Sequence, residues 1–366
     1  MSLSAPHPTR RMRSDLGVEP FTLMREACTT CGFVRSSDES EIDTDRFDEN
    51  YTLYAHAPTS VSENERQRGY ADWIASSVGI VPDRVFEAGA GNGSFALALR
   101  DRWPKLSYLG IEPAPSAAFH ARAAGIDVRT SRLTPPAAAD ARANLALSIN
   151  VIEHVPDPTS FLTDLASWSS GTVAVVCPDG DIPGIELLIS DHLHSFTQAH
   201  MRALFHRAQL RVVHQSRAPH ALGSFFITVG VPQTHAVPQE RFDLGRIDAC
   251  ERYLQRWATL DETLSRALSH ARADCFGCGE AAGLLRAYAP KTWSRIDRCV
   301  VDVPGDGNTF FSLPIEHYAK EPTSHIVLGV RPQDQSQIAA RLEADAHVPI
   351  RWDYVIALAH DVSEIA

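Results

Sequence analysis

The sequence predicts an α/β fold: a mostly parallel sheet covered by helices on both faces, followed by a second, smaller unit of the same kind. Three observations predict it. Apolar runs of strand length alternate with helical patterns from residue 63 onward, and strands that alternate with helices form parallel sheets whose crossovers cover both faces. A glycine turn, Gly89-Ala-Gly-Asn-Gly93, stands between the first strand and first helix of that alternation. The alternation resumes beyond a proline-containing stretch at 231–237 and a long helical pattern at 244–270. At roughly 100–200 residues per domain, a chain of 366 residues accommodates this division.

Composition removes several classes of function. With 44% apolar and 22% charged residues, the chain is globular in type. Its net charge of −11 disfavours a nucleic-acid partner, because phosphate recognition needs clustered basic residues. Arg10, Arg11 and Arg13 form the one basic cluster and are read as a solvated tail. No apolar run reaches membrane-spanning length, and the first residues lack the apolar core of a secretory signal. Seven cysteines without such a signal are expected to be reduced thiols in a cytoplasmic protein.

The elements follow in order. Residues 1–20 carry prolines, arginines and serines without periodicity and read as a flexible lead-in. Residues 21–60 are broken, with Cys28-Thr-Thr-Cys31, an acidic stretch at 38–48, Tyr51 and Tyr54. A helix is expected at 63–78, where Tyr70, Trp73, Ile74 and Val78 recur every three to four residues. Strands are then expected at 84–88, 107–112, 127–130, 143–150, 172–177, 211–215 and 224–231, and helices at 94–102, 115–124, 158–167 and 198–208. In the second unit the long helix at 244–270 precedes strands at 273–277, 298–302, 325–330 and 352–357, with helices at 280–287 and 334–344. The domains are therefore placed at 1–60, 61–235 and 236–366.

Glu87-Ala-Gly-Ala-Gly-Asn-Gly93 carries the chemistry. Glycines let the backbone approach a ligand and turn sharply into a helix. Glycines after a first strand also occur in dinucleotide sites, but a carboxylate ahead of the turn repels a pyrophosphate and suits a ligand bearing an ammonium group. The next strand ends on Glu112, where an acid can accept both hydroxyls of a ribose.

In this order, Glu87–Phe95, Glu112 and Leu147-Ser-Ile-Asn-Val-Ile-Glu-His-Val-Pro-Asp-Pro158 resemble the class I S-adenosylmethionine-dependent methyltransferases. The resemblance implies a Rossmann-like core, S-adenosylmethionine as cofactor, and Glu87, Gly89, Gly91, Gly93, Glu112 and Asn150 as its contacts. Within that group the chain resembles the sugar C-methyltransferases, which act on nucleotide-linked ketosugars. The segments that carry this are Arg25-Glu-Ala-Cys-Thr-Thr-Cys-Gly-Phe33, Asn150-Val-Ile-Glu-His154 and Cys275-Phe-Gly-Cys-Gly-Glu-Ala-Ala-Gly283. It implies a zinc site at Cys28 and Cys31, a Rossmann-like C-terminal substrate domain, and Tyr51 and Tyr54 closing over the methionine end of the cofactor. The family has two Cys-x-x-Cys pairs where this chain has one, and four ligands close a structural zinc site. The family's Tyr-His-Glu-His run appears here as Ser190-Asp-His-Leu-His194, with Asp191 for the glutamate, His192 for a histidine and Ile189 at the tyrosine position.

Methyl transfer from a sulfonium is an in-line displacement, so the protein supplies alignment and removes a proton from the acceptor. A histidine, titrating near neutrality, suits that base. His192, oriented by Asp191, is the first choice, and His154 the second, or a donor to an enolate oxygen. The expected function is methylation of a small molecule, best a nucleotide-linked ketosugar. O- or N-methylation of a sugar or natural-product intermediate and a non-enzymatic binding scaffold are the alternatives, and the oligomeric state is left open.

Overall fold

The computed structural model describes residues 1–37, 58, 61–137, 142–233, 240–269, 271–304, 307–319 and 325–357. The chain divides into two compact units. The first comprises Met1, Glu26–Glu186 and Asp191–Arg246; the second comprises Ser2–Arg25, Leu187–Ser190 and Ile247–Ala366. Residues 1–60 do not form a unit of their own, and the second unit draws on two segments from outside 236–366.

The first unit is built on seven strands: β1 Arg84–Ala88, β2 Ser107–Glu112, β3 Val128–Thr130, β4 Ala143–Ile149, β5 Ser169–Pro178, β6 Leu210–Arg217 and β7 Phe225–Pro232. Their order is β3-β2-β1-β4-β5-β7-β6. The first five run parallel, while β7 is antiparallel to β5 and to β6. This is the mostly parallel, helix-covered sheet that the alternation of strands and helices predicts.

Its helices are α1 Val61–Val78, α2 Ser94–Arg102, α3 Pro115–Ala123, α4 Pro158–Ser167 and α5 Gln198–Arg207. Two apolar cores show how the sequence dictates the layers. Val85, Leu145, Leu147, Ala174 and Val176 pack with Tyr70, Ile74, Phe95 and Leu99, whereas Phe86, Ala146, Val173 and Val175 pack with Leu162, Leu165, Met201 and Phe205. Successive strand residues thus serve opposite faces, as a period of two requires. Phe86 stacks on Trp168 with ring centroids 4.0 Å apart and planes 3° apart. Helix starts are fixed locally: Asp157 accepts from the amides of Thr159 and Ser160 ahead of α4, with Pro158 in the first turn.

The second unit holds β8 Ala273–Phe276, β9 Ile296–Val301, β10 Thr309–Phe310, β11 Leu313–His317, β12 His325–Leu328 and β13 Val348–Ile350, ordered β10-β11-β9-β8-β12-β13. All pairs are parallel except β10 with β11. Two sequence expectations are corrected here. Residues 1–20 are not a loose lead-in: Arg11–Met12 pairs with Val18–Glu19, and both Arg11 and Met12 are buried. Arg11 reaches Glu19 at 2.7 Å, and Asp15 accepts from the Gly17 amide to close the turn. The strand expected at 352–357 is instead the short helix Asp353–Ile356. Gln335 Oε1 accepts from the amides of Trp352 and Asp353, and Trp352 is buried against Trp257, so side chains decide a run too short for periodicity to classify. Among the described residues no helix is long and apolar enough to cross a membrane.

Candidate functional site

The carboxyl ends of β1, β2 and β4, where open α/β sheets hold their ligands, carry the candidate cofactor residues. Gly89, Gly91 and Gly93 have φ of 81°, 52° and 81°, a region L side chains seldom enter. At Gly89 space also excludes a side chain, since a Cβ would lie 2.3 Å from Val151 Cγ2. The amides of Gly89 and Ala90 both donate to the Ile111 carbonyl, at 2.9 and 3.0 Å, which holds the loop against the end of β2. Glu112 fixes it from the other side: its Oε2 accepts from the Gly91 amide at 2.8 Å and its Oε1 from the Ala114 amide at 2.9 Å.

Glu87 stands in β1, two residues ahead of Gly89. It is buried beneath the loop and accepts from the Tyr108 hydroxyl at 2.5 Å. Burial raises its pKa from 4.5 to about 8, so without a cation nearby it is mostly protonated at neutral pH. Tyr108 escaped notice because its place in β2 reads simply as an apolar strand position; Gly110, two residues on, leaves room for it, since a Cβ there would lie 3.0 Å from its hydroxyl. The folded state favours neutral Glu87, so its contribution is complete below about pH 4.5 and lost as pH rises through about 8. The melting temperature should fall over that window, and Glu87→Gln should flatten part of the slope. Identical pH profiles for the two proteins, measured by calorimetry, would refute this state of Glu87.

The segment after β4 forms the other half of the site. Asn150 adopts φ of 53°, its amide donates to the Val176 carbonyl, and its Oδ1 is buried with no hydrogen-bond partner among the described residues. The chain then turns, with the His154 amide donating to the Val151 carbonyl. The loop that follows β5 comes back onto this turn: the His194 amide donates to the Glu153 carbonyl, and the ring Nε2 of His194 is 3.0 Å from the Val155 carbonyl. This brings His154 and His192 together, rings crossing at 80° with centroids 4.8 Å apart. The main-chain oxygen of Asp191 lies 2.7 Å from His154 Nδ1 and accepts a hydrogen bond from it. A carbonyl only accepts, so Nδ1 of His154 carries the hydrogen, and in the neutral ring Nε2 is then the lone-pair nitrogen.

Glu153 was not singled out from the sequence. It is 1% exposed, and both carboxylate oxygens lack a hydrogen-bond partner among the described residues. Burial raises its pKa to about 7. The signal was a glutamate directly beside His154 within the apolar run Val151-Ile152…Val155.

Cys28 is exposed and Cys31 half-buried, both as free thiols in a turn where the Gly32 amide donates to the Cys28 carbonyl. His200, whose pKa burial lowers to about 4, is neutral and donates from Nε2 to the Cys31 carbonyl, which leaves its lone pair on the ring nitrogen facing Thr197. The cluster of metal-competent side chains found among the described residues does not include the two cysteines. Tyr51 and Tyr54 lie outside the described residues.

Residues 62–215 match the model of a family described as methyltransferase domain. The chain is 43% identical over 77 residues to an uncharacterized methyltransferase of Mycobacterium sp. (strain JLS), covering 20% of this chain and 29% of that protein. It is 27% identical over 96 residues to ubiquinone biosynthesis O-methyltransferase of Pseudomonas fluorescens, covering 25% and 41%. The chain thus spans less than half the length of either curated relative. Among solved structures, magnesium protoporphyrin IX methyltransferase of Synechocystis PCC 6803 with bound S-adenosylmethionine matches with a TM-score of 0.41 at 13% identity, covering 54% of this chain and 99% of that one.

Proposed function

We propose that this chain transfers a methyl group from S-adenosylmethionine to a small-molecule acceptor. The observation that carries the reading is the glycine cradle at the end of β1, closed by Glu112 from β2 and floored by Glu87. Its left-handed glycines, the exclusion of a Cβ at Gly89 and the orphaned Oδ1 of Asn150 fit a ligand brought close to the backbone. Bound there, the cofactor supplies an activated methyl group. Glu112 would accept from the ribose hydroxyls, and Glu87 would meet the ammonium group.

On the acceptor side, His154 and His192 handle the proton. His192 receives it directly, which makes the acceptor atom nucleophilic at the moment the methyl is in line. A carbon beside the ketone of a nucleotide-linked sugar is the acceptor that the Asn150-Val-x-x-His154 stretch supports. A hydroxyl is the second reading, favoured by the match to an O-methyltransferase. Incubation with S-adenosylmethionine and either acceptor class, with carbon-bound and oxygen-bound methyl told apart by NMR, decides between them. Failure to bind S-adenosylhomocysteine at all would end both.

Glu112→Ala tests the cofactor placement. It removes the partner of two buried amides as well as the ribose contact, and should weaken S-adenosylhomocysteine binding by about 1–3 kcal/mol. Unchanged affinity by calorimetry would contradict the assignment.

A further inference from the structure

The candidate active site contains a group that the methyl-transfer reading leaves unused. Glu153 is a buried carboxyl whose two oxygens have no hydrogen-bond partner among the described residues, and such a group is costly unless something completes it. Glu153, His154 and His192 each offer a ligand atom, and the three atoms lie within 4.8 Å of one another.

We propose that Glu153, His154 and His192 bind a divalent transition-metal ion of the zinc class. Two imidazoles and one carboxylate are a donor set suited to zinc and its neighbours, not to magnesium or calcium, which prefer all-oxygen surroundings. The surroundings of His154 are those of a metal ligand. Its Nδ1–H is committed to the Asp191 carbonyl at 2.7 Å, which fixes the ring and presents Nε2 as the donor. The ligands come from two segments that the fold already ties together, the turn after β4 and the loop after β5, through the hydrogen bond from the His194 amide to the Glu153 carbonyl. Asp191 thus acts as a positioning residue, through its main chain.

Three protein ligands leave a tetrahedral ion one open position. On the methyltransferase reading, on which this use of the ion rests, that position takes an oxygen of the acceptor. The lone pair of His192 then belongs to the ion. A metal-bound hydroxyl would lose its proton to water, and a metal-bound ketone would lose a proton of the adjacent carbon to water; the resulting oxyanion or enolate would then bond to the methyl group as the methyl–sulfur bond breaks and S-adenosylhomocysteine leaves.

Zinc itself is the probe. Metal-stripped protein titrated with Zn²⁺ should take up one equivalent, and the Co²⁺ form should show the visible absorption of a four-coordinate site without a thiolate charge-transfer band. Glu153→Gln and His192→Ala should each weaken Zn²⁺ binding at least tenfold, whereas Cys28→Ser/Cys31→Ser should retain it. Far-UV circular dichroism confirms that each variant is folded; if Glu153→Gln is not, His192→Ala carries the test. No stoichiometric Zn²⁺ in the wild type, retention by folded Glu153→Gln or His192→Ala, or loss with the cysteine pair would each overturn the proposal. S-adenosylhomocysteine binding on the same preparations separates the two readings. Cofactor binding without metal ends the metal site alone, and metal without cofactor ends the methyltransferase reading and, with it, this use of the ion.

Discussion

His192→Ala is expected to lower turnover by about 10²–10⁴-fold while leaving affinity for S-adenosylhomocysteine nearly unchanged. The proposed cofactor contacts lie on the loop after β1, at the end of β2 and at Asn150 after β4, whereas His192 lies in the loop after β5 and meets His154, with ring centroids 4.8 Å apart. The size of the effect is that of losing a positioned proton acceptor. Loss of an ion that acidifies the acceptor falls in a similar range, so turnover alone does not say how the imidazole acts. The pH profile does: a base at His192 gives a rate that falls as the imidazole protonates and is insensitive to chelator, while a metal ligand gives a rate that chelator abolishes and Zn²⁺ restores. A ring that merely packs against His154 gives neither. His192→Ala would then melt earlier and keep most of its turnover per folded molecule, and that pattern would remove His192 from the chemistry.

Much of this arrangement is legible in the chain, and the reasons are physical. In β1, β4 and β5 both faces are buried, so the strands read as apolar runs, and Gly89-Ala-Gly-Asn-Gly93 marks the place where such a run turns into a helix. What escaped depends on partners distant in sequence. Arg11 looks like a solvated basic residue, yet it is buried with its charge matched by Glu19 across a two-stranded turn. The apolar residues near Trp352 suit a strand as well as a helix, and Gln335, seventeen residues earlier, tips them to a helix. Glu153 is legible as a letter beside His154, but its burial follows from the loop at 191–195 folding back over the turn, which no local pattern announces. In the sequence Glu87 reads as a charge because carboxylates are usually ionised; in the fold, burial outweighs the hydrogen bond from Tyr108 and the proton stays.

Gly89→Ala should cost the protein its cofactor while leaving the sheet folded. Two separate penalties meet at this position. The backbone sits at φ of 81°, where a Cβ costs roughly 1–2 kcal/mol. The same Cβ would lie 2.3 Å from Val151 Cγ2, and forcing an extra methyl into a packed site adds about 1–3 kcal/mol. The loop can escape both by giving up the Gly89 and Ala90 hydrogen bonds to the Ile111 carbonyl, since it lies at the end of β1 and not within the sheet. Binding must then pay to restore the cradle, so affinity for S-adenosylhomocysteine should fall on the order of 100-fold, about 2.7 kcal/mol. Because Val151 belongs to the turn that leads into Glu153 and His154, the displaced side chain should also disturb the acceptor side, and turnover at saturating cofactor should drop. Val151→Ala in the Gly89→Ala background removes the clashing methyl but not the backbone strain. It should recover part of the lost affinity, never all of it, in a double-mutant cycle measured by calorimetry. Full recovery would mean that the left-handed backbone at Gly89 is dispensable. No loss in the single variant would mean that the cofactor does not depend on this cradle at all.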